Sequence, residues 1–305
     1  MNTFKKIRIS DKEMINEYIK SFNSQVSELN FTNLYSWREK YKFEFAIFEN
    51  FLWILNKTEE GKVYFSPPIG DYSNNIYESI KSVKSYCLEH KIDFVIKKAS
   101  ENVKDHILKN KNFKYEVDTN RDASDYLYLF DDLLELKGNK YHKKKNRINK
   151  FMKTYNDWSY EIMKAENINE CRLFANQWCE DNDCNATDNL IYERKALKEV
   201  FDHYETLNCN GGIIRVKGIF AGFTISERLN DDTVVIHFEK ADIKYSGIYN
   251  ILSNEHLKHL NQEFNYINRE QDLGIEGLRH SKLSYHPIKL IQKYKIKIIW
   301  IEACN

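Results

Sequence analysis

The sequence predicts an α/β chain of the α+β type, built as two tandem domains that each fold a mixed, mostly antiparallel sheet flanked by helices. Three observations carry this prediction. Strand-like and helix-like runs alternate along the whole chain, the second half replays the order of the first, and one densely basic stretch separates the halves.

In the first half, Phe43–Phe48, Leu52–Leu55 and Lys62–Phe65 are short runs rich in aromatic and β-branched residues, and read as strands. Asn74–Glu89 places Ile76, Ile80, Val83 and Leu88 at helical spacing, with Tyr77 and Cys87 beside them. Ile92–Ile96 reads as a buried strand, Glu101–Leu108 as a helix and Tyr126–Phe130 as a further strand. In the second half, Gly212–Val216 and Ile219–Glu227 read as strands joined at Lys217-Gly218, a hairpin signal. Thr233–Phe238 is a strand, Ile248–Leu260 a helix, Tyr266–Asn268 a strand and Gly277–Leu283 a helix.

The repeat runs without a gap. Adding ~172 to a position lays Val63 on Val235, Ile76 on Ile248, Tyr77 on Tyr249, Ile80 on Leu252, Phe94 on Tyr266 and Val95 on Ile267. Antiparallel strands, then a helix, then another strand is the order of a GNAT core, in which the central helix points its N-terminus at a ligand phosphate. The expected domains are 1–130 and 131–305, the second opening with a basic linker helix over Asp131–Tyr155.

Composition narrows the function classes. Forty-six Lys and Arg against 45 Asp and Glu give a net charge of +1, so nothing global draws the chain to DNA or an anionic membrane. The N-terminus lacks the apolar core of a secretory signal, and no apolar run is long enough for a transmembrane segment. Six cysteines at irregular spacings, without a CxxC, read as reduced thiols in a cytoplasmic protein. Cys171, Cys179 and Cys184 lack the spacing of a metal site, and no metal is expected.

Three clusters are candidates for chemistry. The basic stretch between the halves supplies Tyr141, His142, Lys143, Lys144, Lys145, Asn146 and Asn149 as a cradle for a phosphate-bearing ligand, with cations and hydrogen-bonding groups interleaved. The plain alternative is a solvated, lysine-rich helix face. His237-Phe238-Glu239-Lys240-Ala241-Asp242 sets His237 beside Glu239 on a strand. Glu239 and Asp242 are the candidate catalytic carboxylates and His237 a substrate-binding group. Asn268 through Lys282 follows a strand with Asn268, Arg269, Asp272, Arg279 and Lys282 as substrate-binding candidates; Asn268 stands where the first copy has Ile96, which suggests that the second copy opens into a site there. The loop Asp242–Gly247 has a single Gly, unlike the Gly-rich pyrophosphate turn of acetyl-CoA-dependent enzymes, which counts against a plain acetyltransferase. No nucleophile elbow or zinc-protease motif is present.

Phe31-Thr32-Asn33-Leu34-Tyr35-Ser36-Trp37-Arg38, the run Lys140 through Phe151, and Asn268 through Gly274 with Lys282-Leu283-Ser284-Tyr285 resemble an uncharacterised bacterial family classed with the C-terminal domain of phosphatidylglycerol lysyltransferases. The resemblance covers almost the whole chain. It implies a tandem GNAT-like fold shared with Fem-type aminoacyl transferases. In the lysyltransferases, this domain moves an amino acid from aminoacyl-tRNA to a lipid head group. This sequence departs from them in lacking the transmembrane flippase part, which leaves the acceptor open. The expectation is an acyl or aminoacyl transferase acting on an amine or hydroxyl of a small molecule or lipid head group. Aminoacyl-tRNA or acyl-CoA is the candidate donor substrate, tRNA a candidate partner, and the sequence implies no cofactor firmly. A non-catalytic ligand- or RNA-binding module on the same scaffold is the alternative.

Overall fold

The computed structural model describes residues 3–182, 187–260 and 263–300. The chain divides into two compact units, one running to Ser124 and resuming at Ile291, the other Asp125–Leu290. The boundary therefore precedes the expected 130/131, and the C-terminal strand, expected in the second unit, belongs to the first.

The first unit carries a seven-stranded sheet. Its strands, in spatial order, are Lys5–Lys6, Glu44–Phe48, Phe51–Lys57, Val63–Phe65, Val95–Ala99, Tyr294–Trp300 and Phe113–Thr119. The helix Ile76–Glu89 begins where the Asn75 side chain accepts from the Tyr77 amide, the ordinary N-cap arrangement. It buries Ile76, Ile80 and Val83 against Trp53, Phe65 and Ile96. The apolar stripe continues through Cys87, buried at 1%, rather than through Leu88, which is 57% exposed.

The second unit repeats the plan. Its sheet runs Lys289–Ile291, Asp125–Leu129, Tyr266–Asn268, Thr233–Ala241, Ile219–Arg228, Asn210–Val216 and Trp158–Ile162. In both units a parallel pair flanks the crossover helix, Val63–Phe65 with Val95–Ala99 and Thr233–Ala241 with Tyr266–Asn268. The second helix, Ile248–His259, starts at the position the repeat offset assigns it. The strand register departs from the repeat: Ile96 pairs with Phe65, but Asn268 pairs with Val235 and not with His237.

Two expectations are corrected here. The single helix foreseen over Asp131–Tyr155 is broken into Phe130–Glu135, a short 3-10 turn and His142–Thr154. Leu136 and Gly138 at positive φ break it, because neither backbone conformation continues a right-handed helix. Of the cysteines, Cys87, Cys171 and Cys209 are free thiols, whereas Cys179 is disulfide-bonded, contrary to a uniformly reduced set. Cys184 and Cys304 lie outside the described residues. No described helix is long and apolar enough to cross a membrane.

Candidate functional site

The site forms where two strands part. Thr233–Ala241 and Tyr266–Asn268 pair in parallel only from Thr233↔Tyr266 to Val235↔Asn268. Beyond this point Thr233–Ala241 stays hydrogen-bonded to Ile219–Arg228, with a register shift at Ile225/Ser226, while the other chain turns away through Glu270 at positive φ. Glu239 on the first strand and Arg269 just after the second form an ion pair across the opening. Their side chains are 14% and 16% exposed, so the pair lies in a low-dielectric setting.

Three more elements converge on this pair. The Arg269 guanidinium lies 5.2 Å from the centre of the Tyr285 ring. The Tyr285 hydroxyl accepts a hydrogen bond from Asn250 Nδ2 at 2.5 Å, on the crossover helix. Lys144, from the basic helix, sets its Nζ 3.7 Å from the same ring centre and donates to Ser284 Oγ at 2.6 Å. Tyr141, fully buried, donates towards Asp132 and the Tyr285 carbonyl, each at 3.2 Å, which locks the start of that helix.

Burial sets the protonation of these groups. It pushes Lys144 down to about 8, with repulsion from Arg147 and Arg269 adding to it. Burial also pushes Lys282 down to about 8; its Nζ donates to the Arg269 and Gln271 carbonyls. For Arg269 burial works against the charge, but Glu239 outweighs it and keeps the guanidinium protonated. Burial likewise opposes charge on His237, yet hydrogen bonds to Glu227 (2.9 Å) and Glu270 (3.0 Å) win and raise it to about 9. His237 is thus a cation with both ring nitrogens engaged, unsuited to taking a proton or grasping a ligand.

The remaining candidates divide into clasps and surface groups. Asp272 is fully buried and holds its own loop together: it accepts from Tyr126 Oη at 2.5 Å, from Arg279 Nε at 2.9 Å and Nη2 at 3.1 Å, and from the Gly274 amide at 2.9 Å. Asn268 marks the last paired position before the opening, and its own side chain is turned into the fold. It is buried at 0%, donating to Asp125 at 3.1 Å and accepting from the Glu270 amide at 2.7 Å. Asp242 accepts from the Lys244 amide at 3.0 Å and pairs with the Lys244 ammonium, so its carboxylate serves its own turn and is not brought beside Glu239. On the basic helix only Tyr141 and Lys144 of the phosphate-binding candidates turn inward; His142, Lys143, Lys145, Asn146 and Asn149 are exposed.

The sequence reading does not reach Tyr285, Asn250, Tyr249 or Ser284 as site residues. Tyr285 and Ser284 fall inside the motif that carries the family resemblance, which was the available signal. Tyr249 receives the Ala241 amide at 3.2 Å and hydrogen-bonds Trp178, within electrostatic reach of Glu239. Trp178, with Leu190, Glu193, Leu197, Phe201 and Lys240, lines a cavity of about 260 Å³ between the helices Ile168–Asp181 and Asp188–Asp202.

Several amides of the loop at the N-terminus of the crossover helix are engaged within the protein. The amides of Asp242, Lys244, Tyr245, Ser246 and Ile248 donate respectively to the Ala221 carbonyl, Asp242 Oδ1, the Asp242 carbonyl, Tyr155 Oη and the Tyr245 carbonyl. Gly247, at φ 91°, lies so close to the basic helix that a Cβ there would sit 3.0 Å from the Arg147 carbonyl. No group of three or more His, Cys, Asp or Glu suited to a metal ion occurs among the described residues.

Comparison with known proteins places this geometry in context. The family described as "Phosphatidylglycerol lysyltransferase, C-terminal" matches residues 19–297. An uncharacterised protein of Mycoplasmoides gallisepticum is 26% identical over 196 residues, 61% of this chain; the match spans 60% of that relative's own length. A crystal structure of a conserved protein of unknown function from Bacteroides thetaiotaomicron superposes with a TM-score of 0.93 at 32% identity, covering 98% of this chain and 100% of the other. The C-terminal domain of a putative lysylphosphatidylglycerol synthetase from Agrobacterium fabrum shares the fold at TM-score 0.66 and 12% identity, over 94% and 91% of the two chains. A tandem GNAT protein from the clavulanic acid biosynthesis pathway shares it at TM-score 0.51 and 6% identity, over 100% of each. The fold is therefore tandem GNAT-like, as the repeat predicts.

Proposed function

This chain belongs to the phosphatidylglycerol lysyltransferase C-terminal family, and on that premise we propose that it is an aminoacyl transferase, moving an amino acid from aminoacyl-tRNA to an amine or hydroxyl acceptor. Transferase-like function follows from the family and the fold; the donor and the roles below are our reading.

The observation that carries this reading is Glu239, a shielded carboxylate in the opening between two parting strands, with Arg269 beside it. In the reaction the acceptor nitrogen or oxygen attacks the ester carbonyl. A new amide or ester bond forms, the bond to the ribose oxygen breaks, and the ribose hydroxyl leaves with a proton. The donor is already activated, so the main requirement is placement of the two reactants. Glu239 takes the acceptor's proton, a contribution of roughly 10²–10⁴-fold. Asp242, bound to its own loop, has no part in that step.

Two features favour tRNA over an acyl-CoA. Five of the amides around the start of the crossover helix, those of Asp242, Lys244, Tyr245, Ser246 and Ile248, are engaged within the protein rather than turned to a pyrophosphate. The exposed Lys143, Lys145, Asn146, Arg147 and Asn149 offer a face suited to a phosphodiester backbone.

A non-catalytic binding module is the second reading, favoured by the closed Glu239–Arg269 pair, which a ligand must open before Glu239 accepts a proton. The deciding experiment incubates the protein with tRNA charged with a labelled amino acid, and separately with labelled acyl-CoAs, across amine and hydroxyl acceptors. Protein-dependent transfer from charged tRNA supports the proposal. Transfer only from an acyl-CoA overturns the donor, and protection of charged tRNA without transfer supports the binding module.

A further inference from the structure

Lys144 is buried to 6% exposure, and its contacts among the described residues are a serine hydroxyl and the face of a tyrosine ring, with no carboxylate among them. The charged groups that act on it most strongly are Arg147 and Arg269, both cations. An ammonium ion held out of water beside like charges is costly unless an anion joins it. Lys140, on the preceding turn, differs in having Asp132 at 2.9 Å.

We infer that Lys144 and Arg269, both set over the Tyr285 ring, with Ser284 Oγ bound to Lys144, form an internal binding site for a phosphate group, distinct from the exposed face of the basic helix.

The geometry suits an oxyanion. The two cations approach one ring, Lys144 at 3.7 Å and Arg269 at 5.2 Å from its centre. Ser284 Oγ, 2.6 Å from the ammonium, adds a hydroxyl donor once it turns from the Ser281 carbonyl. Arg269 offers a planar fork that matches phosphate oxygens, while Lys144 supplies a point charge. Arg269 is paired with Glu239, whereas Lys144 has no such anion beside it, so a bound phosphate supplies the countercharge Lys144 lacks. It also draws Arg269 from Glu239 and frees that carboxylate, so occupancy of the site and readiness of the proposed base are linked. This deepens the transferase reading, yet the site itself stands on the placement of Lys144, Arg269 and Ser284 and not on the proposed role of Glu239.

Phosphate of this kind reaches the site as the diester of a lipid head group or as the diester of a nucleic-acid 3′ end. The experiment measures thermal stabilisation and calorimetric binding of the full chain with inorganic phosphate, glycerophosphoglycerol and a CCA trinucleotide. Wild-type protein is expected to be stabilised by phosphate. Lys144→Met is expected to melt at or above the wild-type temperature and to bind phosphate at least tenfold more weakly. The Lys144→Gln variant should give the same loss and serves if the Met variant fails to fold, and Lys144→Arg should retain binding. Phosphate binding that is undiminished in the Met or Gln variant overturns the site. Competition with phosphate by glycerophosphoglycerol supports the lipid source, and competition by the trinucleotide the nucleic-acid source; competition by neither overturns a role in substrate binding. Glu239→Gln separates this proposal from the transferase reading: it should abolish transfer while phosphate binding persists.

Discussion

The carboxylate of Glu239 and the guanidinium of Arg269 are paired across the opening that begins where their strands cease to hydrogen-bond, beyond Val235 and Asn268. A residue pair that closes a split in a sheet both stabilises the split and occupies it. Replacing Glu239 by Gln keeps a hydrogen-bond acceptor but removes the charge. Transfer is expected to fall by ~10² or more, with an unchanged far-ultraviolet dichroism spectrum. Turnover equal to wild type would remove Glu239 from the reaction.

Lys144→Met tests the cost of an uncompensated ammonium. Burial lowers the folded-state value to about 8 from 10.5, so the penalty is fully present below pH 8 and disappears as pH rises through 10.5. At pH 7 the variant should be more stable by about 2 kcal/mol in urea denaturation. The gain should shrink above pH 9. A loss of stability at neutral pH would mean that Lys144 is compensated in the free protein.

His237 works in the opposite sense. With a folded value near 9 against 6.5, its proton stabilises the fold fully below pH 6.5, and that contribution is lost as pH rises through 9. Glu227 and Glu270 then face a neutral ring. Denaturation at pH 6 and pH 9 should show wild-type stability falling by about 3 kcal/mol more than that of His237→Gln, a comparison that cancels the lysine contributions.

His256 marks the acid side. It is buried between Tyr160 Oη at 2.9 Å and Ser226 Oγ at 2.8 Å, and burial, aided by His259, depresses it to about 3. The neutral ring is stabilising above pH 6.5, and that stability drains away as pH falls towards 3. His256→Gln should show a shallower acid-unfolding transition than wild type between pH 6 and pH 4.

Gly212 guards the same arrangement. A Cβ there would sit 2.0 Å from Tyr160 Oη. Gly212→Ala should displace Tyr160 from His256 and cost about 2 kcal/mol by overpacking, seen as a lower melting temperature. An unchanged melting temperature would show that Tyr160 swings aside freely.

The repeat made much of the fold legible, because helix length and apolar phase are local properties: the crossover helices begin at Ile76 and Ile248 as the offset requires. Strand partnership over long separations is not local: the strand read at Tyr126–Phe130 joins the second sheet and not the first, and the strand Tyr294–Trp300, in the first, is not legible in the sequence. The site was half visible. Glu239 and Arg269 follow from charged residues at strand ends, whereas Tyr285 and Asn250 are ordinary in sequence and meet Arg269 and each other only through tertiary packing. Charge counting found Lys144 but did not separate it from its exposed neighbours, since the inward turn depends on helical phase against a core whose position the sequence leaves unstated.

The returning C-terminal strand has a consequence for synthesis. Tyr294–Trp300 lies between Val95–Ala99 and Phe113–Thr119, and Lys293 reaches Glu28 across a sequence separation of 265. During translation the first-made unit therefore waits with an unfilled slot in its sheet, while the second draws every strand of its sheet from one continuous stretch, Asp125 to Ile291. The usual order of vectorial folding, N-terminal part first, is reversed: the later-encoded unit closes before the earlier one. A ribosome-stalled chain whose emerged part ends near residue 290 should already protect the second unit from protease and leave the first exposed.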